Sequence, residues 1–429
     1  MSKFAIPYES VETSGATLQV EIPEANVWKD FSVKEPAGIP DLGQAVLKAV
    51  ENPVDGKKFS ELIGAGKKVV FVTENQFRQA PAEKILPVLV AKAKALGAEV
   101  SVVIANGKVP TLSAEEIRLR VGAEVVDQGI PVVCNDVSSP EKYRFLGVTS
   151  SGIPLWVLKT VLDADVSVTI STTQATLWGY GGSGMVIPGV AGNETVEMNH
   201  IMSLAPDCVP GNNDCKMQLD KYQALEMAKI SMGINVIVSN AFEVTFVNAG
   251  KPVSSHKAAV KEYDSLYRFD MRGAGQADIA ILGTTAPTDH LFFHTGWACV
   301  NVSPIVKPGG TIIHASPCPG YGDWPGFALM DLMKDFMPAN PANKEKALRA
   351  FYAQQRELWA GCIWYPVYNA MVERNLEIVT LEENLAMAKD IGLSVGTNLQ
   401  AAFDAALKKH GPGAKVAVVP FGRYSVFTV

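Results

Sequence analysis

The sequence predicts an α/β fold: two α/β domains with mostly parallel sheets facing an interdomain cleft. Three observations carry the prediction. The chain has 429 residues, more than one ordinary core holds. Short β-branched apolar runs alternate with amphipathic helices, the pattern of parallel βαβ crossovers. Polar and glycine-bearing loops follow those runs, at the strand ends where parallel sheets collect ligands.

The elements follow in order. LQVEIP alternates apolar and polar residues and reads as a half-buried N-terminal strand. PDLGQAVLKAV reads as a helix opened by Pro40 and Asp41, with Leu42, Val46, Leu47 and Val50 on one face. KKVVFVTEN suits a buried parallel strand, and APAEKILPVLVAKAKALGAEV is an amphipathic helix that ends at Gly97. VSVVIAN is the next strand. SAEEIRLRVG is the next helix, with Ser113 and Glu116 spaced as a capping box. LWVLKTVLDADVSVTISTTQ gives a helix and then a strand at 166–170. A helix DKYQALEMAKIS and strands INVIVSN and EVTFVNAG complete a first domain, placed at 1–270. The second, 271–429, starts with strand ADIAILGT. It continues with a helix from Thr288, strand GTIIHAS, helix GFALMDLMKDF, a helical stretch around Lys344–Leu358 and strand LEIVT. The last strand, within AKVAVVPFGRYSVFTV, is able to pack on either domain.

Composition bounds the function classes. Apolar residues make up 48% and net charge is −6, an ordinary globular balance without the basic stripe of a nucleic-acid partner. No run reaches membrane-span length, and MSKFAIPYESVETSG has no apolar signal region, so a cytoplasmic protein is expected. The six cysteines form no C-x-x-C pair and read as reduced thiols; Cys208 and Cys215 flank a turn and can bridge if oxidised.

Two loops after strands, TENQFRQAP (73–81) and NGKVPTLS (106–113), fall where ligands bind. Arg78 in the first can grip a carboxylate in bidentate fashion. Lys108 in the second is a base if buried and a solvated cation otherwise. GYGGSGMVIPGVAGNETVEMNH (179–200) holds glycines but no lysine or arginine. Gly181, Gly182 and Ser183 are candidate cofactor contacts through backbone N–H groups, or simply a tight turn. Tyr180 is a candidate substrate contact. His200 is a candidate metal ligand or catalytic imidazole, against a histidine bonded to backbone. His290 and His294, four apart on the expected helix beside Asp289, can pair as metal ligands, or His294 can act alone as acid or base. Trp178 and Trp297 can wall a cleft or simply pack.

In this order, the motifs resemble the nickel-pincer lactate racemase superfamily. PGVAGNETVEMNH (188–200) follows its PG…ET…NH pattern. FRQAP (77–81), ANGKVPTLSAEEI (105–117), TDHLFFHTGW (288–297) and VKPGGTII (306–313) occupy the places of its other loops and elements. The resemblance implies that fold, with Arg78 facing substrate or cofactor and His200 as the protein ligand of nickel. It also marks departures. The family lysine that bonds covalently to a pyridinium-derived nucleotide falls on Gly184, or Met185 with a one-residue shift. The two acid–base histidines fall on Val109 and on Gln174 or Ala175, which leaves Gln174 as a substrate contact. A substrate-neutralising lysine falls on Trp297, and the glutamine beside it on His294.

The resemblance therefore implies a racemase or epimerase, or a related lyase, for a small 2-hydroxy acid or sugar acid, by a route changed from the covalent one. Its partner is a small carboxylate, with no nucleic acid and no membrane. His200, His294 and Lys108 are the catalytic candidates; Arg78, Gln174, Trp297 and Tyr180 the substrate contacts. The cofactor stays open: there is room for a divalent metal on His200 or His290, nickel by resemblance, and a covalent pincer nucleotide is not expected. The alternative is a catalytically inactive carboxylate-binding or sensor protein on the same scaffold. A dinucleotide-binding dehydrogenase is disfavoured, since no G-x-G-x-x-G follows a strand.

Overall fold

A computed structural model describes residues 1–8, 15–285 and 288–429. The chain divides into two compact units: Glu35–Ser265, and Met1–Lys34 together with Leu266–Val429. The first 34 residues thus leave the expected 1–270 grouping. The cause is strand pairing: Val27–Asp30 adds in parallel to Val416–Phe421. Parallel pairing with Ala277–Gly283 places the last long strand, Val416–Phe421, in the C-terminal unit.

Among the described residues of the Glu35–Ser265 unit, one six-stranded sheet runs in the order Val244–Gly250, Met232–Val238, Val166–Thr172, Lys68–Glu74, Glu99–Ala105, Val132–Cys134. All neighbours are parallel except the first pair, which is antiparallel. Alternation along each strand feeds two apolar clusters: Val69 and Phe71 enter one, Val70 and Val72 the other. Burial on both faces is why these strands read as unbroken apolar runs. The chain moves outward from Lys68–Glu74 through two strands. It then returns to the other side of Lys68–Glu74 at Val166–Thr172 and moves outward again. The order therefore reverses between these two strands, and their carboxyl ends flank a topological switch point.

Several local expectations match the structure. Asp41 caps Leu42–Glu51 by accepting from Gln44 N–H. Ser113 and Glu116 form the reciprocal capping box of Ala114–Val121. Others differ. LWVL lies in a strand, Pro154–Leu158, antiparallel to Tyr143–Val148, and only Lys159–Leu162 is helical. Cross-strand packing of Trp156 on Phe145, with ring centroids 5.1 Å apart, decides that segment. Pro252–Tyr267 is a helix that the sequence reading leaves unassigned.

In the other unit, six parallel strands run in the order Ser394–Gly396, Asn375–Val379, Val306–Ala315, Ala277–Gly283, Val416–Phe421, Val27–Asp30 among the described residues. GFALMDLMKDF contributes a 3-10 segment, Met330–Phe336, rather than an α-helix. The helix expected from Thr288 begins only at Phe292. No helix among the described residues is long and apolar enough to cross a membrane.

Ile170 is fully buried in the strand on one side of the switch point. Ile170→Ala is expected to lower unfolding free energy by about 2–5 kcal/mol, read as a lower denaturant midpoint at unchanged slope.

Candidate functional site

The site is built at the switch point by a buried carboxylate. Glu74 ends its strand, and its side chain accepts from the backbone N–H (2.8 Å) and hydroxyl (2.9 Å) of Thr172, the last residue of the strand across the reversal. It also accepts from Ala80 N–H at 3.3 Å, closing the Arg78 loop against the strand end. Burial pushes the Glu74 carboxyl up, and Arg120, the Thr172 N–H, Arg78 and the Thr172 hydroxyl oppose this. Arg120 donates to the backbone oxygens of Glu74 (2.8 Å) and Arg78 (3.4 Å), so the loop is held from both sides. Desolvation lowers the Arg78 guanidinium from its ordinary value, Glu74 raises it and Arg120 lowers it further.

The next loop is joined to the PG segment. Gly107 N–H donates to Gly189 O at 2.9 Å. Asn135 donates to Gly107 O and Ala191 O, while Tyr143 O–H donates to Asn135. Lys108 forms an ion pair with Glu197, one helical turn before His200. Its amine is engaged by a carboxylate, which argues for a positioning role over that of a free base.

The glycine-rich segment is held by its own scaffold. Ser171 O–H donates to Gly182 O, and His256 Nε2–H donates to Gly181 O at 2.7 Å while its Nδ1 lies 2.9 Å from the Tyr222 hydroxyl. Gln218 binds the segment twice, donating to Ser183 Oγ and accepting from Tyr180 N–H. Tyr180 O–H donates to Asp264, a bond that ties its ring to the Pro252–Tyr267 helix. Glycine is required at position 182: φ is +98°, and a Cβ there would lie 2.8 Å from the His256 ring. It is not required at 184, where φ is −79° and a Cβ would meet only Pro188 Cδ at 3.5 Å. Met185 is buried in an apolar cluster with Val186 and Ile187.

His200 lies on the Asn193–Ile201 helix with its ring edge-on to Trp178, centroids 5.7 Å apart. Its Nδ1–H donates to Val196 O at 2.8 Å, which leaves the lone pair on Nε2. Burial pushes its pKa down to about 4, the Val196 bond opposes this, and Lys221 and Lys108 add to it. The imidazole is therefore neutral at pH 7. Buried polar atoms with no hydrogen bond inside the protein occur beside it in sequence, both side-chain polar atoms of Asn199, and just past the end of the Val166–Thr172 strand, Gln174 Oε1 and Thr173 Oγ1. Such atoms mark a place where a polar ligand completes the bonding.

Sequence reasoning missed Lys221. It sits on Lys216–Met227, only 4% exposed, four residues from buried Met217 and four from buried Leu225. A lysine inside an apolar stripe at helical spacing was the signal. His256 was missed likewise; Val260, Tyr263 and Tyr267 continue its buried face.

The other unit holds the remaining candidates. His290 lies before the Phe292–Thr295 helix, and its Nδ1 is bonded to Gly320 O at 3.0 Å. The one-face pair expected of His290 and His294 therefore does not form on a helix. His294 is buried between Phe293 and Trp297, whose rings lie 4.9 and 5.8 Å away. The Arg423 guanidinium stacks on Trp297 at 4.3 Å. Arg423, 1% exposed in the final turn, was not singled out by the sequence reading. Among the described residues no group of three or more His, Cys, Asp or Glu is placed to hold a metal. His200 would thus be a single protein ligand. Neither Gly184 nor Met185, the two positions the resemblance offered for a tethering lysine, carries an amine.

A parallel sheet with a cationic loop, a glycine-rich segment and a neutral histidine around its switch point is the arrangement by which α/β proteins collect ligands at strand ends. Residues 14–209 match the lactate racemase N-terminal domain. The chain is 24% identical over 388 residues to the lactate racemase of Thermoanaerobacterium thermosaccharolyticum, covering 88% of each chain. It is 24% identical over 396 residues to that of Lactiplantibacillus plantarum, covering 88% of this chain and 89% of the relative. Its fold matches the structure of the T. thermosaccharolyticum lactate racemase apoprotein with a TM-score of 0.88 at 20% identity over 100% of both chains. A Thermotoga maritima protein matches with a TM-score of 0.69 at 16% identity, over 92% of this chain and 100% of its own. The N-terminal part of the chain is thus similar to the lactate racemase N-terminal domain, and the fold is the one seen in the lactate racemase apoprotein.

Two outcomes are expected of the glycine segment. Gly182→Ala should destabilise the fold by roughly 1–3 kcal/mol, measured by denaturant unfolding, because it strains the backbone and displaces His256. His256, like His200, is pushed down to about 4 by burial. A histidine held below its unfolded value of about 6.5 contributes stability above that pH and loses it as pH falls towards 4. His256→Gln, which keeps a donor for Gly181, should flatten the fall in unfolding free energy between pH 6.5 and 4.

Proposed function

We propose that the chain is a racemase or epimerase, or a related lyase, acting on a small 2-hydroxy acid or sugar acid. The observation that carries this is Arg78 held at the switch point by the Glu74 network, in a fold shared with lactate racemase. A guanidinium carries five donors, and with Nη1 bonded to Phe77 O at 3.2 Å its remaining N–H groups suit a carboxylate. His200 contributes a lone pair at Nε2, and burial keeps it neutral. It accepts the hydrogen bond of the substrate hydroxyl, or ligates a divalent metal, nickel by likeness to the family. When bound, such a metal supplies Lewis acidity to an oxygen beside the reacting carbon. Gln174 and Tyr180 line the same strand end, and Gly181, Gly182 and Ser183 bring backbone groups to it. Proton transfer by the family's two histidines is not available, since Val109 and Gln174 stand in their places.

That loss favours a second reading, carboxylate binding without turnover. One experiment separates the two. Each enantiomer of lactate and a panel of 2-hydroxy and sugar acids is incubated with the protein in deuterium oxide. Loss of optical purity is expected for one member of the panel, and Arg78→Lys should lower kcat/KM by roughly 10- to 100-fold, the worth of one charge-assisted hydrogen bond. Saturable binding with no change in any acid would support the second reading. Absence of both binding and turnover would overturn the two together.

A further inference from the structure

The glycine-rich segment carries no cation of its own, yet a buried one stands behind it. Lys221 is 4% exposed, and its Nζ donates to Gln218 Oε1 at 3.3 Å. Gln218 is the residue that binds Tyr180 N–H and Ser183 Oγ, so Lys221 shares its anchor with the segment. The charged groups acting on Lys221 are the Cys215 and Cys208 thiols, which favour its cation, and Arg78, which opposes it. Lys221 in turn acts on His200 and His256, which places it among the switch-point side chains. No carboxylate is among these groups. Burying an ammonium against an amide oxygen, with a guanidinium nearby, is unfavourable unless an anion is taken up. The glycine-rich segment that shares the Gln218 anchor has an unpartnered hydroxyl against it: Thr173 Oγ1 lies 3.2 Å from the point a Gly182 Cβ would occupy.

We infer that Lys221 is an anion-binding residue of this site, supplying from the Lys216–Met227 helix the cation that the glycine-rich segment lacks, and that its ligand is an oxyanion. Two sources offer that chemistry: the carboxylate of a substrate and the phosphate of a bound nucleotide or phosphorylated substrate. The assignment extends the reading of Arg78 above by adding a second cationic contact. Burial pushes the Lys221 amine down to about 8. Its charge, and with it the anion, is therefore lost as pH rises through that value. Cys215 is the one internal competitor. It caps the same helix, and its thiol is pushed down to about 7 by Cys208, with the Gln218 N–H and Lys221 adding to this.

The test is calorimetric titration of the whole chain with inorganic phosphate and, separately, with D- and L-lactate, in chloride-free buffer at pH 7 and pH 9.5. Saturation by phosphate at pH 7 assigns the phosphate source, and saturation by lactate the carboxylate source. The affinity for that anion should fall at least tenfold in Lys221→Met and at pH 9.5. It should return to within a few-fold in Lys221→Arg and rise in Cys215→Ser, which removes the competing thiolate, with circular dichroism confirming folded variants. Binding that is equal in Lys221→Met overturns the assignment, as does failure of both anions to bind the unaltered chain. Arg78→Met serves as the separating control. If it abolishes lactate binding while Lys221→Met does not, the Arg78 reading stands and the Lys221 inference falls.

Discussion

The bond from the Glu74 carboxylate to Thr172 crosses the place where the sheet changes direction. Two strands that diverge in their connections are pinned together at their carboxyl ends by that one side chain. The same carboxylate closes the Arg78 loop through Ala80 N–H. Everything around the site inherits its position from this pin: the arginine on one side and the glycine-rich segment on the other. Burial makes the pin costly unless its lone pairs are used, and they are used by backbone and hydroxyl donors that only the folded sheet brings together.

The electrical character of the site follows from the same burial. Both histidines near the segment are held neutral, so they offer lone pairs and single donors but no charge. The Lys108–Glu197 pair is internally compensated. Positive charge at the switch point comes from Arg78, Arg120 and Lys221, with Arg120 occupied by the backbone oxygens of the Arg78 loop. Neutral imidazoles with a small number of fixed cations suit an anion whose remaining atoms are held by neutral hydrogen bonds. Fold likeness alone would not have supplied this description, because one scaffold hosts many chemistries.

Relatives and departures meet at Gly184. Its backbone is ordinary and its surroundings leave room for a Cβ. The missing amine is thus not a steric necessity of this loop, in contrast to Gly182, which the His256 ring forbids to change.

Much of the fold was legible in the residues. The apolar runs at 68–74 and 99–105, the Asp41 cap and the Ser113–Glu116 box are set by near neighbours, and local spacing suffices to find them. The Arg78 loop and His200 were legible from their places after a strand and at the close of a motif. Tertiary structure alone decided the rest. The N-terminal strand Val27–Asp30 joins a partner nearly four hundred residues away. Cross-strand packing turned LWVL from helix to strand. Lys221 and His256 look like ordinary helix residues until packing buries them, since desolvation depends on which surfaces come together. Sequence determined which side chains exist and which local elements they form; the long-range assembly decided which of them lost water, and so which carry charge at the site.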